Sequence, residues 1–125
     1  MKNEPFSITK RLKSFVYAFN GLRILIKEEH NARIHAVATI FVVVLGVWLD
    51  ISTSEWIALI FAIGFVFAME TVNSSIENLA DFITKEKQEA IKKVKDLAAS
   101  AVLISAISAL IVGIVIFIPK ILNLC

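Results

Sequence analysis

Three stretches of the chain are apolar over lengths that a small soluble domain does not need: "IHAVATIFVVVLGVWLD" from Ile34, "WIALIFAIGFVFAM" from Trp56, and "LAASAVLISAISALIVGIVIFI" from Leu97. A helix that crosses a bilayer needs roughly 20 largely apolar residues, each advancing it about 1.5 Å. In a chain of 125 residues, 58% of them hydrophobic, three such helices leave room for little else. The expected fold is an all-α membrane protein.

The placement of charge orients it. The net charge of +2 says little, but every Lys or Arg except Lys120 precedes the first apolar block or lies between Lys85 and Lys95. The only charged residues in the link "DISTSE" are acids. By the positive-inside rule the N-terminal segment and the loop over 83–95 are cytoplasmic, while the link and the C-terminus lie outside. That requires an odd number of spans, and three satisfies it. No cleavable signal is expected, because a polar amphipathic segment precedes the first apolar block. Cys125, the single cysteine, permits neither an internal disulfide nor a thiolate metal site and reads as an incidental thiol. Nothing points to a nucleic-acid partner.

In "SITKRLKSFVYAFNGLRILIKEE", residues Ile8, Leu12, Phe15, Phe19, Leu22 and Ile26 recur at helical spacing, with Lys10, Lys13 and Lys27 on the other side. This is the pattern of a basic amphipathic helix lying in the interface, over about 7–29. Asn20-Gly21 is a candidate bend or break. The spans are expected at about 33–50, 56–82 and 95–118 within a single domain, 1–125. Arg33 would snorkel to the headgroups, Trp48 and Trp56 would flank the outer turn, and Pro119 would close the last helix. The inner half of the third span is rich in small residues that let helices approach closely in lipid.

The second span is the unusual one. Its apolar run ends at Met69, and Glu70 lies about 21 Å along the axis from Trp56, still within a hydrocarbon layer of about 30 Å. The helix must therefore continue through "ETVNSSIENLADF". Glu70, Asn73, Glu77 and Asp81 are spaced by three, four and four, which confines them to an arc of about 80°. Such a stripe cannot face lipid and must meet another helix or a wet cavity. Interhelical hydrogen bonding is one explanation, but Asn or Ser would supply it without the desolvation cost of three carboxylates.

A division of labour is the alternative. Glu70 and Glu77 are about 10 Å apart along the axis, too far to share one proton. Glu70, the deeper, suits a general base for a group presented from the membrane. Glu77, nearer the cytosol, suits a hard divalent cation, since Mg²⁺ takes one or two carboxylates with phosphate oxygens and waters. "KKVKDLAASA" offers a helix N-terminus with Lys95 and Asp96 as an anion site, although a lysine there can also be a simple interfacial anchor. The second metal carboxylate would come from Glu28 or Glu29 in "IKEEHNARIH". His30 and His35 are candidate ligands or, more simply, polar anchors. An acid stripe, a cation, an anion site and an intramembrane base together describe phosphoryl transfer to a lipid hydroxyl. With only four glycines, the chain carries neither a Walker loop nor a Gly-rich kinase loop.

"ETVNSSIENLADFI" followed by "AIKKVKDLAASAVLISAI", with "NGLRILIKEE" and "WLDIS" upstream, closely resembles the small bacterial membrane kinases of the diacylglycerol kinase and undecaprenol kinase family. The similarity runs from about Thr9 to Ile118. It implies a homotrimeric bundle of three-span protomers, each with a surface helix, and active sites assembled between protomers. It implies ATP as phosphoryl donor, Mg²⁺ as cofactor and a membrane lipid alcohol as acceptor. By motif match Glu70 is the catalytic base, and Glu29 and Glu77 hold metal and nucleotide. Asn73, Lys95 and Asp96 fall on further active-site positions, and Tyr17 on an aromatic near the adenine. Lys10 stands where many members have Arg, which loses a bidentate phosphate contact. "EKQ" replaces the E-Y-H of some members and leaves only Glu86 as a nucleotide contact there. "HNARIH" is similar to the N-x-R-I-H segment of undecaprenol kinases, which favours a polyprenol over diacylglycerol. The competing readings are a small proton-coupled transporter or channel, whose pore the stripe would line, and a non-catalytic assembly subunit.

Overall fold

The computed structural model describes residues 5–124, so Cys125 lies outside the described residues. Four helices follow one another: α1 (Ile8–Glu28), α2 (His30–Trp48), α3 (Thr53–Ile83) and α4 (Glu89–Leu122). Helices α2, α3 and α4 are each long and apolar enough to cross a membrane, and there is no strand among the described residues. In a bilayer a helix satisfies its backbone groups internally, which an open strand cannot do. The protein is a multi-pass membrane protein.

Ser7 caps the start of α1, its side chain accepting from the Lys10 backbone N–H. The helix runs through Asn20-Gly21 without interruption. One glycine costs a helix only up to about 1 kcal/mol, and packing of this part of α1 against α3, around the buried Leu25, offsets it. The break comes instead at Glu29, whose extended backbone ends α1 and starts α2. Its N–H donates to the Leu25 carbonyl, and its own carbonyl accepts from Arg33 N–H. The Arg33 side chain donates to the Lys27 carbonyl at 2.9 Å, tying the two helices together across the kink. The outer face of α1, with Ile8, Leu12, Phe15 and Phe19, remains exposed, as suits a helix lying on lipid.

At the far end the chain reverses in four residues. Asp50 has φ 53°, and the N–H groups of Asp50 and Ile51 return to the Val47 and Gly46 carbonyls, the bonding of a Schellman stop. Ser52 and Glu55 then form a reciprocal capping box at the start of α3. Lys120, the one basic residue that follows the last apolar block, lies 3.2 Å from Glu55. Ile51, Leu59, Ile116 and Phe117 form the buried core here, with Trp56 against it. Gly46 lets the indole approach: a Cβ there would lie 2.9 Å from the Trp56 ring and 3.2 Å from Ile51. Gly46→Ala is therefore expected to destabilise the fold by about 1–3 kcal/mol, as overpacking does, read as a lower thermal midpoint in detergent.

α3 is a single helix of 31 residues, about 46 Å long, so its polar turns continue the apolar ones without a break. Its most extensive contacts are with α4. Leu59 and Val66 on α3, and Ala98 and Ser105 on α4, are buried pairs each seven residues apart, a spacing that keeps one seam facing a partner helix. Hydroxyls in the apolar stretches are satisfied locally: Thr39, Thr71, Ser105 and Ser108 each donate to a carbonyl three or four residues back. α4 passes Pro119 and ends at Leu122. Pro119 thus lies inside the helix rather than closing it. Beyond it, Asn123 N–H still reaches the Pro119 carbonyl.

Candidate active site

The bend at Glu29 matters because of where it sends the carboxylate. Glu29 Oε1 accepts a hydrogen bond from Ser74 Oγ on α3 at 3.1 Å. Ser74 is buried, one turn beyond Glu70 and one residue after Asn73. A second acid is thus brought alongside the stripe within this chain. Glu28, its neighbour, ends α1 on an exposed surface.

Glu70 is only 4% exposed. His35, on the first turns of α2, brings Nε2 to 3.3 Å from Glu70 Oε1, an approach that lacks the geometry of a formed hydrogen bond, since that oxygen has no hydrogen-bond partner among the described residues. Asn73 Oδ1 is likewise buried and without a hydrogen-bond partner. Two orphaned oxygens at this depth are expensive, and both are acceptors. Groups that a hydroxyl, a cation or a donor from a substrate would satisfy are therefore held ready here.

Towards the C-terminal end of α3 the stripe meets α4. Lys95 Nζ lies 2.6 Å from Asp81, with Glu77 also within its electrostatic reach. Asp96 faces the other way and pairs with Lys92 one turn earlier at 2.6 Å, both side chains well exposed. His30 is exposed at the start of α2, and Glu86 lies in the α3–α4 loop with its N–H on Thr84 Oγ1. Lys10 and Tyr17 are on the exposed surface of α1. At 1.5 Å per residue they stand about 28 and 18 Å along the axis from Glu29, so α1 does not bring them to that carboxylate. The chain gathers Glu29, Glu70, Asn73, Glu77 and Lys95 along the C-terminal half of α3, and leaves Lys10, Tyr17, Glu86 and Asp96 peripheral.

Among the described residues no three His, Cys, Asp or Glu side chains converge as a metal cage. The donors present are carboxylate and amide oxygens, with Asn73 Oδ1 unpaired. That set suits a hard cation completed by substrate oxygens and waters better than a closed protein site. Above His35 a cavity of about 390 Å³ opens between α2, α3 and α4, lined by apolar side chains such as Val42, Val66, Leu110 and Phe117.

Sequence reasoning missed Ser74. The signal was present, since position 74 follows Glu70 by one turn and borders the acid arc, but a serine beside acids carries no charge to mark it. It named His35 without placing it against Glu70.

The sequence pattern of prokaryotic diacylglycerol kinases matches residues 16–117. The chain belongs to this family. It is 34% identical to the undecaprenol kinase of Bacillus subtilis (strain 168) over 119 residues, 95% of this chain and 97% of that one. It is equally 34% identical to the diacylglycerol kinase of Escherichia coli (strain K12) over 111 residues, 89% and 91% of the two chains. The diacylglycerol kinase of Helicobacter pylori (strain J99) shares 37% over 99 residues, 78% of this chain and 77% of that one. Membership makes the chain a lipid kinase. The kinase resembles relatives of both acceptor types to the same degree, so overall identity does not select its lipid.

Proposed function

We propose that the kinase transfers the γ-phosphate of ATP to the hydroxyl of a membrane lipid alcohol, undecaprenol or diacylglycerol, with the polyprenol favoured by the "HNARIH" segment. The observation that carries the reading is Glu70: a carboxylate 4% exposed, at membrane depth, with an unsatisfied oxygen. It is the general base that takes the proton from the lipid hydroxyl. Glu29 and Glu77 would hold Mg²⁺, a reading supported by the oxygen-only donor set, and when bound it would supply charge neutralisation for phosphoryl transfer. Asn73 offers its free oxygen to the same region. Lys95 and Asp96 stand at the cytoplasmic end of α4, where the phosphates enter, and Lys10, Tyr17 and Glu86 contact the nucleotide.

The remoteness of Lys10 and Tyr17 from Glu29 along α1 supports a homotrimer with sites shared between protomers. The pairing of Lys120 with Glu55 supports the orientation, because it compensates the one basic residue on the far side. The N-terminus and loop 83–95 would then face the cytosol and the C-terminus the outside of a bacterial inner membrane.

The deciding experiment is transfer of labelled γ-phosphate by purified protein in detergent, with both lipids offered together. Labelled undecaprenyl phosphate in excess over phosphatidic acid is the expected result. The reverse ratio would assign diacylglycerol, and no transfer to either by folded trimer would overturn the reading.

A further inference from the structure

Burial creates a difficulty for Glu70. A base that accepts a proton in every turnover must also release it, and this side chain is sealed from solvent. Two ionisable groups act on it: His35 on α2, with Nε2 3.3 Å away, and Glu29 at the α1–α2 bend. Glu29 is occupied with Ser74 and carries the same sign of charge. α4 offers nothing, since it has no ionisable residue between Asp96 and Lys120. His35 is different: an imidazole accepts a proton at one nitrogen and releases one from the other. Its side chain is 30% exposed, against 4% for that of Glu70.

We infer that His35 is a positioning residue for the reaction, aligning the Glu70 carboxylate and carrying its proton away after each transfer. This rests on the reading of Glu70 as the base. The lipid oxygen loses its proton to Glu70 as the new O–P bond forms and the bond to ADP breaks. The protonated Glu70 passes that proton to His35 Nε2, and the imidazolium returns one proton to water. Glu70 is left as carboxylate for the next lipid. The 3.3 Å approach is long for a hydrogen bond, as catalytic pairs often are before substrate tightens them.

The test uses the full-length trimer in detergent, with kcat and KM for both substrates. His35→Ala is expected to lose about 100-fold in kcat, the lower end for one positioned proton-transfer group, with both KM values nearly unchanged. Added imidazole restores kcat saturably, whereas an equal ionic strength of sodium chloride does not. His35→Gln, which keeps a hydrogen-bonding side chain of similar reach but cannot carry a proton, stays impaired and serves if the alanine variant folds poorly. Wild-type kcat in His35→Gln, or a loss in His35→Ala that imidazole leaves untouched, overturns the inference. Glu70→Gln is measured beside them. An active Glu70→Gln would overturn the assignment of the base itself, while an inactive Glu70→Gln with an active His35→Gln would overturn His35 alone.

Discussion

Glutamine in place of Glu70 is expected to lower lipid phosphorylation by about 10²–10⁴-fold, the range for a positioned acid–base group, and to leave the protein at least as stable as before. The two halves of that result belong together. A carboxylate at membrane depth costs a few kcal/mol even on the gentler insertion scales, and this one has an oxygen with no hydrogen-bond partner among the described residues. Glutamine keeps the shape and removes the charge, so the buried site becomes less costly while the proton acceptor is lost. If the acid stripe were only interhelical glue, the signs would reverse: Glu70→Gln would lower the thermal midpoint through its lost contact with His35 and leave turnover intact. Measuring kcat and thermal unfolding on the same detergent-solubilised samples separates the two. A drop in stability with normal turnover would remove Glu70 from the chemistry.

The helices and the stripe were legible in the sequence because each rests on a signal that lipid enforces. Apolar length gives a span, and an acid within it gives a polar face that must be turned inward. The continuation of α3 through "ETVNSSIEN" follows from the same argument, since a bilayer leaves no other way to satisfy the backbone. Less legible were features set by geometry between elements. The break falls at Glu29 rather than at Asn20-Gly21, because α1 packs on α3 around Leu25 up to that point and Arg33 holds the kink from the far side. Ser74 lacks a charge to betray it, and its value depends on where the kink aims Glu29. Asp96 was read together with Lys95 as one anion site, yet adjacent residues on a helix point about 100° apart. Lys95 turns to Asp81, and Asp96 back to Lys92. Lys10, Tyr17 and Glu86 carry no signal of their own in spacing or charge, and α1 and the α3–α4 loop leave them apart from Glu29 and Glu70.

The hydrogen bond from Ser74 to Glu29 leads to the second large effect. A metal carboxylate works well only when something fixes its orientation, and loss of such an outer partner typically costs 10–100-fold in metal affinity or activity. For Glu29, proposed above as a metal ligand, that partner would be the buried Ser74 hydroxyl, which joins the bend between α1 and α2 to the helix that carries Glu70 and Glu77. Ser74→Ala is expected to raise the Mg²⁺ concentration for half-maximal activity about 10-fold or more, with kcat at saturating Mg²⁺ largely retained, because the carboxylate is still present but free to rotate. Ser74→Thr, which keeps the hydroxyl, should fall much closer to the wild type. Glu29→Gln would remove the negative charge of the proposed ligand, so its loss should persist at any Mg²⁺ concentration. Activity titrated with Mg²⁺ at fixed ATP distinguishes these outcomes. If Ser74→Ala instead lowered kcat with an unchanged Mg²⁺ midpoint, Glu29 would be acting on something other than the metal, and its contact with Ser74 would serve only to hold α1 against the bundle.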